Sequence, residues 1–243
     1  MGARLLEVAA NSLASALAAQ AGGAGRIELC TALELGGLTP SHGEIALVRE
    51  RVALPLYVLI RPRAGDFLYS ELELETMRRD VEACAALGCD GVVLGVLDAD
   101  GNVDMVHCRA LMDGAGRMGV TFHRAFDLAR DQARALEDVI ALGAERVLTS
   151  GGAASAPQGA SRLRELVVQA GGRIVVMPGA GITPANAAGL AEATGAVEFH
   201  ASAKRAHASR MGHVRGDALG MGDGEVRSDA DEVRALMRAL ASG

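Results

Sequence analysis

Tryptophan is absent from this 243-residue sequence, and tyrosine and phenylalanine number only two and four. With a net charge of −6 as well, the chain has neither the basic footprint nor the stacking rings that nucleic-acid binding uses, so nucleic acid is not an expected partner. No run approaches the roughly 20 consecutive apolar residues that span a bilayer, and the opening stretch Met1 to Ala10 is interrupted by Arg4 and Glu7. Membrane insertion and secretion are not expected. The four cysteines, Cys30, Cys84, Cys89 and Cys108, show no zinc-type pairing of Cys-x-x-Cys units, which suits thiols kept reduced in a cytoplasm. Lysine is nearly missing: arginine outnumbers it 23 to 1, and Lys204 is the sole lysine. It falls beyond every expected strand, which disfavours Schiff-base aldolase chemistry.

What is present is alternation. Short β-rich runs exchange with Ala- and Leu-rich helical patterns from end to end, with no linker or composition shift, so one domain is expected. The expected strands are 5–9, 26–30, 56–61, 91–96, 119–123, 146–150, 173–177 and 196–200. Strand starts recur every ~27 residues, a strand plus a crossover helix, and eight such units predict a (β/α)8 TIM barrel. The segments Gly25-Arg26-Ile27-Glu28-Leu29 and Ala144-Glu145-Arg146-Val147-Leu148 echo one another, each placing Arg before an apolar strand. An open doubly wound sheet is the alternative, but no Gly-x-Gly-x-x-Gly follows the first strand. Only residues 205–227 look irregular; they predict a long loop, a lid or a subunit contact, before a final helix capped by Ser228 with Asp231 completing a capping box.

In such a barrel the active site lies at the C-terminal strand ends. Alternation turns Leu6, Val8, Ile27 and Leu29 toward the helices, which leaves Glu7, Arg26, Glu28 and Cys30 inside. The same parity directs Arg61, His123, Ser150, Glu198 and His200 inward. Unpaired buried charge costs several kcal/mol, so this polar interior is either a mutually paired structural network or a functional site. For acid–base chemistry the proton-transfer candidates are Glu7, Glu28, His123 and His200. Anion binding is expected from Arg61 and Arg63 on one rim, or these arginines form salt bridges to Glu28 or Asp66. A second anion signal is the turn 179–184, where Thr183 would cap a helix and Gly179 and Gly181 bare its N–H groups, with Ser150, Gly151, Ser202 and Lys204 completing the pocket. Plain tight turns are the other account of these glycines. The acidic stretch 98–104 lacks the ligands of a calcium loop and predicts a turn with a helix cap. Cys84, Cys89 and Cys108 are expected to pack in the core.

Seven ordered segments, Arg26-Ile27-Glu28-Leu29-Cys30, Gly36-Gly37-Leu38-Thr39-Pro40-Ser41, Ile60-Arg61-Pro62-Arg63, Gly65-Asp66-Phe67, the run 120–127, Val147-Leu148-Thr149-Ser150-Gly151 and the run 177–182, together resemble the CutC family, named for copper homeostasis. The resemblance covers residues from about 4 to 205. It implies a cytoplasmic TIM barrel, assembled as a homo-oligomer and proposed to bind Cu(I) at the barrel mouth, with Cys30 matching the family thiol proposed as a copper ligand. Members often carry further thiols where this chain has Ala9 and Ala201, so Cys30 would need help from His200 or from a methionine of the segment 211–221. The expected partner is therefore a copper ion or, for an enzyme, a small phosphorylated or carboxylate metabolite.

Overall fold

The structure, a computed structural model, describes residues 4–213, 216, 218, 222 and 224–242. Eight strands form one parallel sheet: β1 (Leu5–Ala10), β2 (Arg26–Leu29), β3 (Leu56–Leu59), β4 (Gly91–Leu94), β5 (Gly119–Phe122), β6 (Arg146–Thr149), β7 (Val175–Pro178) and β8 (Glu198–Ala201). The ladder runs β7-β6-β5-β4-β3-β2-β1-β8, so β8 returns to the first strand. This is the expected TIM barrel, closed except at the meeting of β7 and β8, between which no ladder is formed. Parallel strands need long crossovers, supplied by α1 (Leu13–Gly22), α2 (His42–Arg51), α3 (Glu71–Ala86), α4 (Met105–Ala115), α5 (Gln132–Leu142), α6 (Ala160–Ala170) and α7 (Ala187–Thr194), with α8 (Ala230–Ser242) after the last barrel strand.

The core lies mainly between sheet and helices, where Leu6, Val8, Ile27 and Leu29 are fully buried on the outward parity. Each such side chain contributes about 1.5–3 kcal/mol on leaving water. Helix α3 buries Leu74, Met77, Val81 and Cys84 at three- and four-residue steps. It starts at Glu71 because Ser70 and Glu73 form a reciprocal capping box, with the Ser70 N–H donating to Glu73 Oε2 at 2.7 Å. The stretch 98–104 is a turn closed on Asp98, followed by Asp104 capping α4.

Two expectations at the C-terminus are corrected. The segment 205–227 is not irregular at its ends: β9 (Lys204–Ala208) and β10 (Gly224–Ser228) pair antiparallel, with Lys204 opposite Ser228. The ribbon is largely exposed, so it carries none of the apolar alternation that marks a half-buried strand. The residues at 214, 215, 217, 219–221 and 223 lie outside the described residues. The cap of α8 is Asp229, not Ser228, since Asp229 Oδ1 accepts from the N–H groups of Asp231 and Glu232. Ser228 instead donates its hydroxyl to the Ser202 carbonyl at 2.8 Å, tying the ribbon to the end of β8. Either side chain can cap, and the backbone bonds that place Ser228 opposite Lys204 decide between them.

Candidate functional site

The barrel interior has a floor of paired charge and a wall of unpaired polar groups. On the floor, Tyr57 of β3 lies against two guanidinium groups, Arg26 of β2 at 5.4 Å and Arg146 of β6 at 4.9 Å from its ring centroid. The two arginines of the sequence echo thus meet at one ring. Glu198 of β8 accepts from both, at 2.5 Å from Arg26 and 3.2 Å from Arg146, and Glu7 of β1 takes the other side of Arg26. The Tyr57 hydroxyl donates to Glu145 at 2.7 Å. Room for this ring comes from glycines that start β4 and β5: a Cβ at Gly91 would stand 2.1 Å from the ring, and one at Gly119 2.2 Å from the hydroxyl. This layer is the paired network that inward parity allowed; in the sequence Arg146 shows only as half of the echo, and Tyr57 carries no signal.

Above the floor opens a cavity of about 620 Å³ at the C-terminal ends of the strands. Glu28, Arg61, His123 and His200 line it, joined by Gly181, Ser202 and Lys204 from the expected anion pocket. His200 Nδ1 lies 2.8 Å from Glu7 Oε1. Burial alone would raise Glu7, but this bond and the Arg26 charge hold its carboxyl down at about 2, so it stays ionised. Burial works against a charged His200, yet the Glu28 and Glu7 carboxylates raise its pKa. Glu28 is 5% exposed and its Oε2 has no protein partner. Burial, opposed by the His200 charge, pushes Glu28 up to about 7. Glu28, near neutrality, and His200, raised from its ordinary value, therefore bias one another's protonation. Their ligand-type atoms and one from Glu7 lie within 4.8 Å of one another, the three-residue cluster of that kind found among the described residues.

Arg61 and His123 form the opposite wall. The Arg61 guanidinium donates to the carbonyls of Leu35, Gly37 and Gly65 at 2.9–3.0 Å and lies 5.0 Å from the Phe67 ring centroid. Its Nε is buried without a partner. Of the two salt bridges weighed for this rim, the one to Asp66 is made by Arg63, which turns outward to Glu73 and Asp66 and leaves the cavity. His123 is 4% exposed; its Nδ1 accepts from the Ala125 N–H at 3.2 Å and its Nε2 is unpartnered. Burial and the Arg61 charge push His123 down to about 3. It is a neutral imidazole carrying its proton on Nε2.

The remaining expected residues are placed elsewhere. Ser150 is committed to Asp127 and the Ala153 carbonyl, because Asp127 gathers Thr149 Oγ1, Ser150, the Gly152 N–H and Arg124 into one knot. Gly151 borders a separate, more open cleft. Gly179 stands at the β7–β8 seam, where a Cβ would meet Leu148 at 2.4 Å and His200 at 3.4 Å. Thr183 does not cap by its side chain; its N–H donates to Asn186 Oδ1, and α7 starts at Ala187. Cys30 is fully buried, gives its thiol to the Ala10 carbonyl at 3.7 Å and does not line the cavity. Burial and the Glu28 charge push that thiol well above its usual range, so no thiolate is presented. Met211 is exposed, and Met221 lies outside the described residues. The donors that converge are thus imidazole and carboxylates, a poor set for soft Cu(I).

A parallel barrel whose mouth joins a buried carboxyl, a carboxylate-held imidazole and an uncompensated guanidinium has the build of a TIM barrel with a ligand site. The model of the CutC family matches residues 4–205, and the chain belongs to that family. It is 59% identical over 238 residues to a family protein CutC of Xylella fastidiosa, covering 98% of this chain and 89% of that one. It is 47% identical over 225 residues to the copper homeostasis protein cutC homolog of Mus musculus, covering 93% and 82%. A solved CutC structure from Streptococcus agalactiae superposes with a TM-score of 0.78 at 30% identity, over 82% of this chain and 98% of that one. Among the described residues no helix is long and apolar enough to cross a membrane.

Proposed function

We propose that the mouth cavity binds a small anionic metabolite and moves a proton on it, and that this chain serves copper homeostasis, the role named for its relatives, through that site. The observation that carries the reading is the Glu28 carboxyl, buried, unpartnered and titrating near 7, beside a His200 held by ionised Glu7. A general acid or base works best with a pKa near the working pH, and a carboxylate behind an imidazole fixes its tautomer and orientation. His200 then presents Nε2 to a bound molecule while Glu28 gives or takes the proton. The four free, buried thiols suit a reducing compartment, the cytoplasm.

Hydrogen exchange tests this directly. Small hydroxy and keto carboxylates, with and without phosphate, are incubated with the protein in deuterated water and followed by NMR. Exchange of a carbon-bound proton in wild type and in Cys30→Ser, but not in Glu28→Gln, is the expected result. Equal exchange in Glu28→Gln would sink the assignment.

The second reading is capture of the copper ion itself at the mouth, favoured by the convergence of Glu7, Glu28 and His200 atoms within 4.8 Å. Anaerobic titration of reduced protein with Cu(I) against a competing chelator separates the two. Tight stoichiometric binding lost in Cys30→Ser would restore the thiol site and displace the acid–base reading. Binding lost in His200→Ala alone would place the ion on the imidazole.

A further inference from the structure

Arg61 carries a full charge in a nearly closed position, 7% exposed, and its guanidinium donates to three backbone carbonyls, with no carboxylate among the described residues paired to it. A buried cation held only by neutral dipoles is costly and lacks its counter-charge. Of the donors left over, Nε is buried and unpartnered. His123, on the same cavity wall, also has one unpartnered donor, because Nδ1 is occupied as an acceptor and the proton of the neutral ring must sit on Nε2. Phe67 packs against both, with its centroid 4.8 Å from the His123 ring and 5.0 Å from the Arg61 guanidinium carbon. Two buried N–H groups beside one aromatic ring, one of them on a guanidinium, ask for an acceptor with two oxygens and one negative charge.

We infer that Arg61 Nε and His123 Nε2 form the anchor for a carboxylate group of the ligand, holding it on the β3–β5 side of the mouth while the Glu28 and His200 pair faces the rest of the molecule. The orientation rests on the acid–base reading above; the anchor itself does not. A doubly charged phosphate is the poorer match, since the anchor supplies one charge and the ionisable Glu28 lines the same cavity. The neutral His123 is here a positioning group, the role its low pKa fits, and not the acid or base that the sequence also allowed. The ligand class is a small carboxylate bearing a hydroxyl or carbonyl within reach of Glu28. The β7–β8 side, where Gly181, Ser202 and Lys204 border the cavity, is left for its far end.

Acetate is the probe, with acetamide as the neutral control of the same shape and inorganic phosphate as the competing anion. In wild-type protein, heteronuclear NMR of the imidazole nitrogens should show the His123 Nε2 signal moving on addition of acetate and staying put with acetamide. Acetate binding should weaken by about tenfold or more in Arg61→Gln, the usual cost of a lost charge-assisted bond. Arg61→Lys, which keeps the charge and loses Nε, should weaken it as well, and Glu28→Gln should leave it in place. Arg61 also braces three loops, so the variants may be compared only at temperatures where each is folded; the wild-type NMR result needs no variant. A His123 signal indifferent to acetate, or moved equally by acetamide, overturns the proposal, and so does tighter binding of phosphate than of acetate at this signal. Acetate bound through Arg61, with no carbon-proton exchange in the hydroxy and keto carboxylates, would leave the anchor standing and remove the acid–base reading.

Discussion

Replacing Glu28 by Gln should change how stability depends on pH, by an amount the structure sets. The carboxyl ionises near 4.5 in an unfolded chain and near 7 in the fold, because burial outweighs the His200 charge. A carboxyl whose folded pKa is raised favours the folded state fully only below the unfolded value. As pH climbs from about 4.5 to 7, the unfolded chain sheds its proton while the fold retains it, and stability falls. The full loss is about 3 kcal/mol, of which about 2 to 3 kcal/mol falls between about pH 5 and pH 8. His200 acts in the same direction, since its raised pKa also favours the fold at low pH, and part of that rise comes from Glu28. Glu7 and Arg26 face the pair as well but keep their charge across this window. Urea unfolding of wild type and Glu28→Gln at the two pH values gives the double difference, which cancels any cost of the substitution that is independent of pH. Relative to wild type, the variant should gain about 2 to 3 kcal/mol on going from about pH 5 to pH 8, roughly 4 to 12 °C in melting temperature for a chain of this size. Parallel pH profiles would refute the raised pKa, and with it the poised carboxyl on which the proposed chemistry depends.

Other outcomes follow from the packing. Gly91→Ala, which drives a methyl into the Tyr57 ring beside its two arginines, should cost about 1–3 kcal/mol or more. Gly189→Ala in α7, where a Cβ meets nothing within 4 Å, should gain up to about 1 kcal/mol; thermal melts that rank the two the other way would contradict the packing of the floor. Asp127→Asn should destabilise by about 3 kcal/mol, because Arg124 and the N–H groups of Ser150 and Gly152 lose a charged acceptor. A denaturation midpoint unmoved by that change would show the knot to be dispensable.

Much of this barrel is visible in its sequence because strand alternation and crossover length are local properties. Parity alone places Leu6, Val8, Ile27 and Leu29 against the helices and Glu7, Glu28 and His200 inside. Partner choice is another matter. Arg61 and Arg63 are two residues apart on one rim, yet only Arg61 enters the cavity, because Glu73 on α3 and Asp66 draw Arg63 away. Ser150 ends an inward strand but is claimed by Asp127 from the preceding turn. The arginine echo is legible as a pattern, whereas its purpose requires knowing that β3 brings Tyr57 against both guanidinium groups. Cys30 obeys the parity rule and still misses the cavity, since its thiol is spent on the Ala10 carbonyl.

The floor of the barrel has one further effect on the mouth. Guanidinium groups stay protonated at any pH a folded protein meets, so they neither accept a proton nor pass one along. Arg26 and Arg146, both lying against the Tyr57 ring, therefore set a fixed positive charge beneath Glu28 and His200. A molecule seated at the open rim meets a pair whose protonation it can change with no answering change in the two guanidinium groups below.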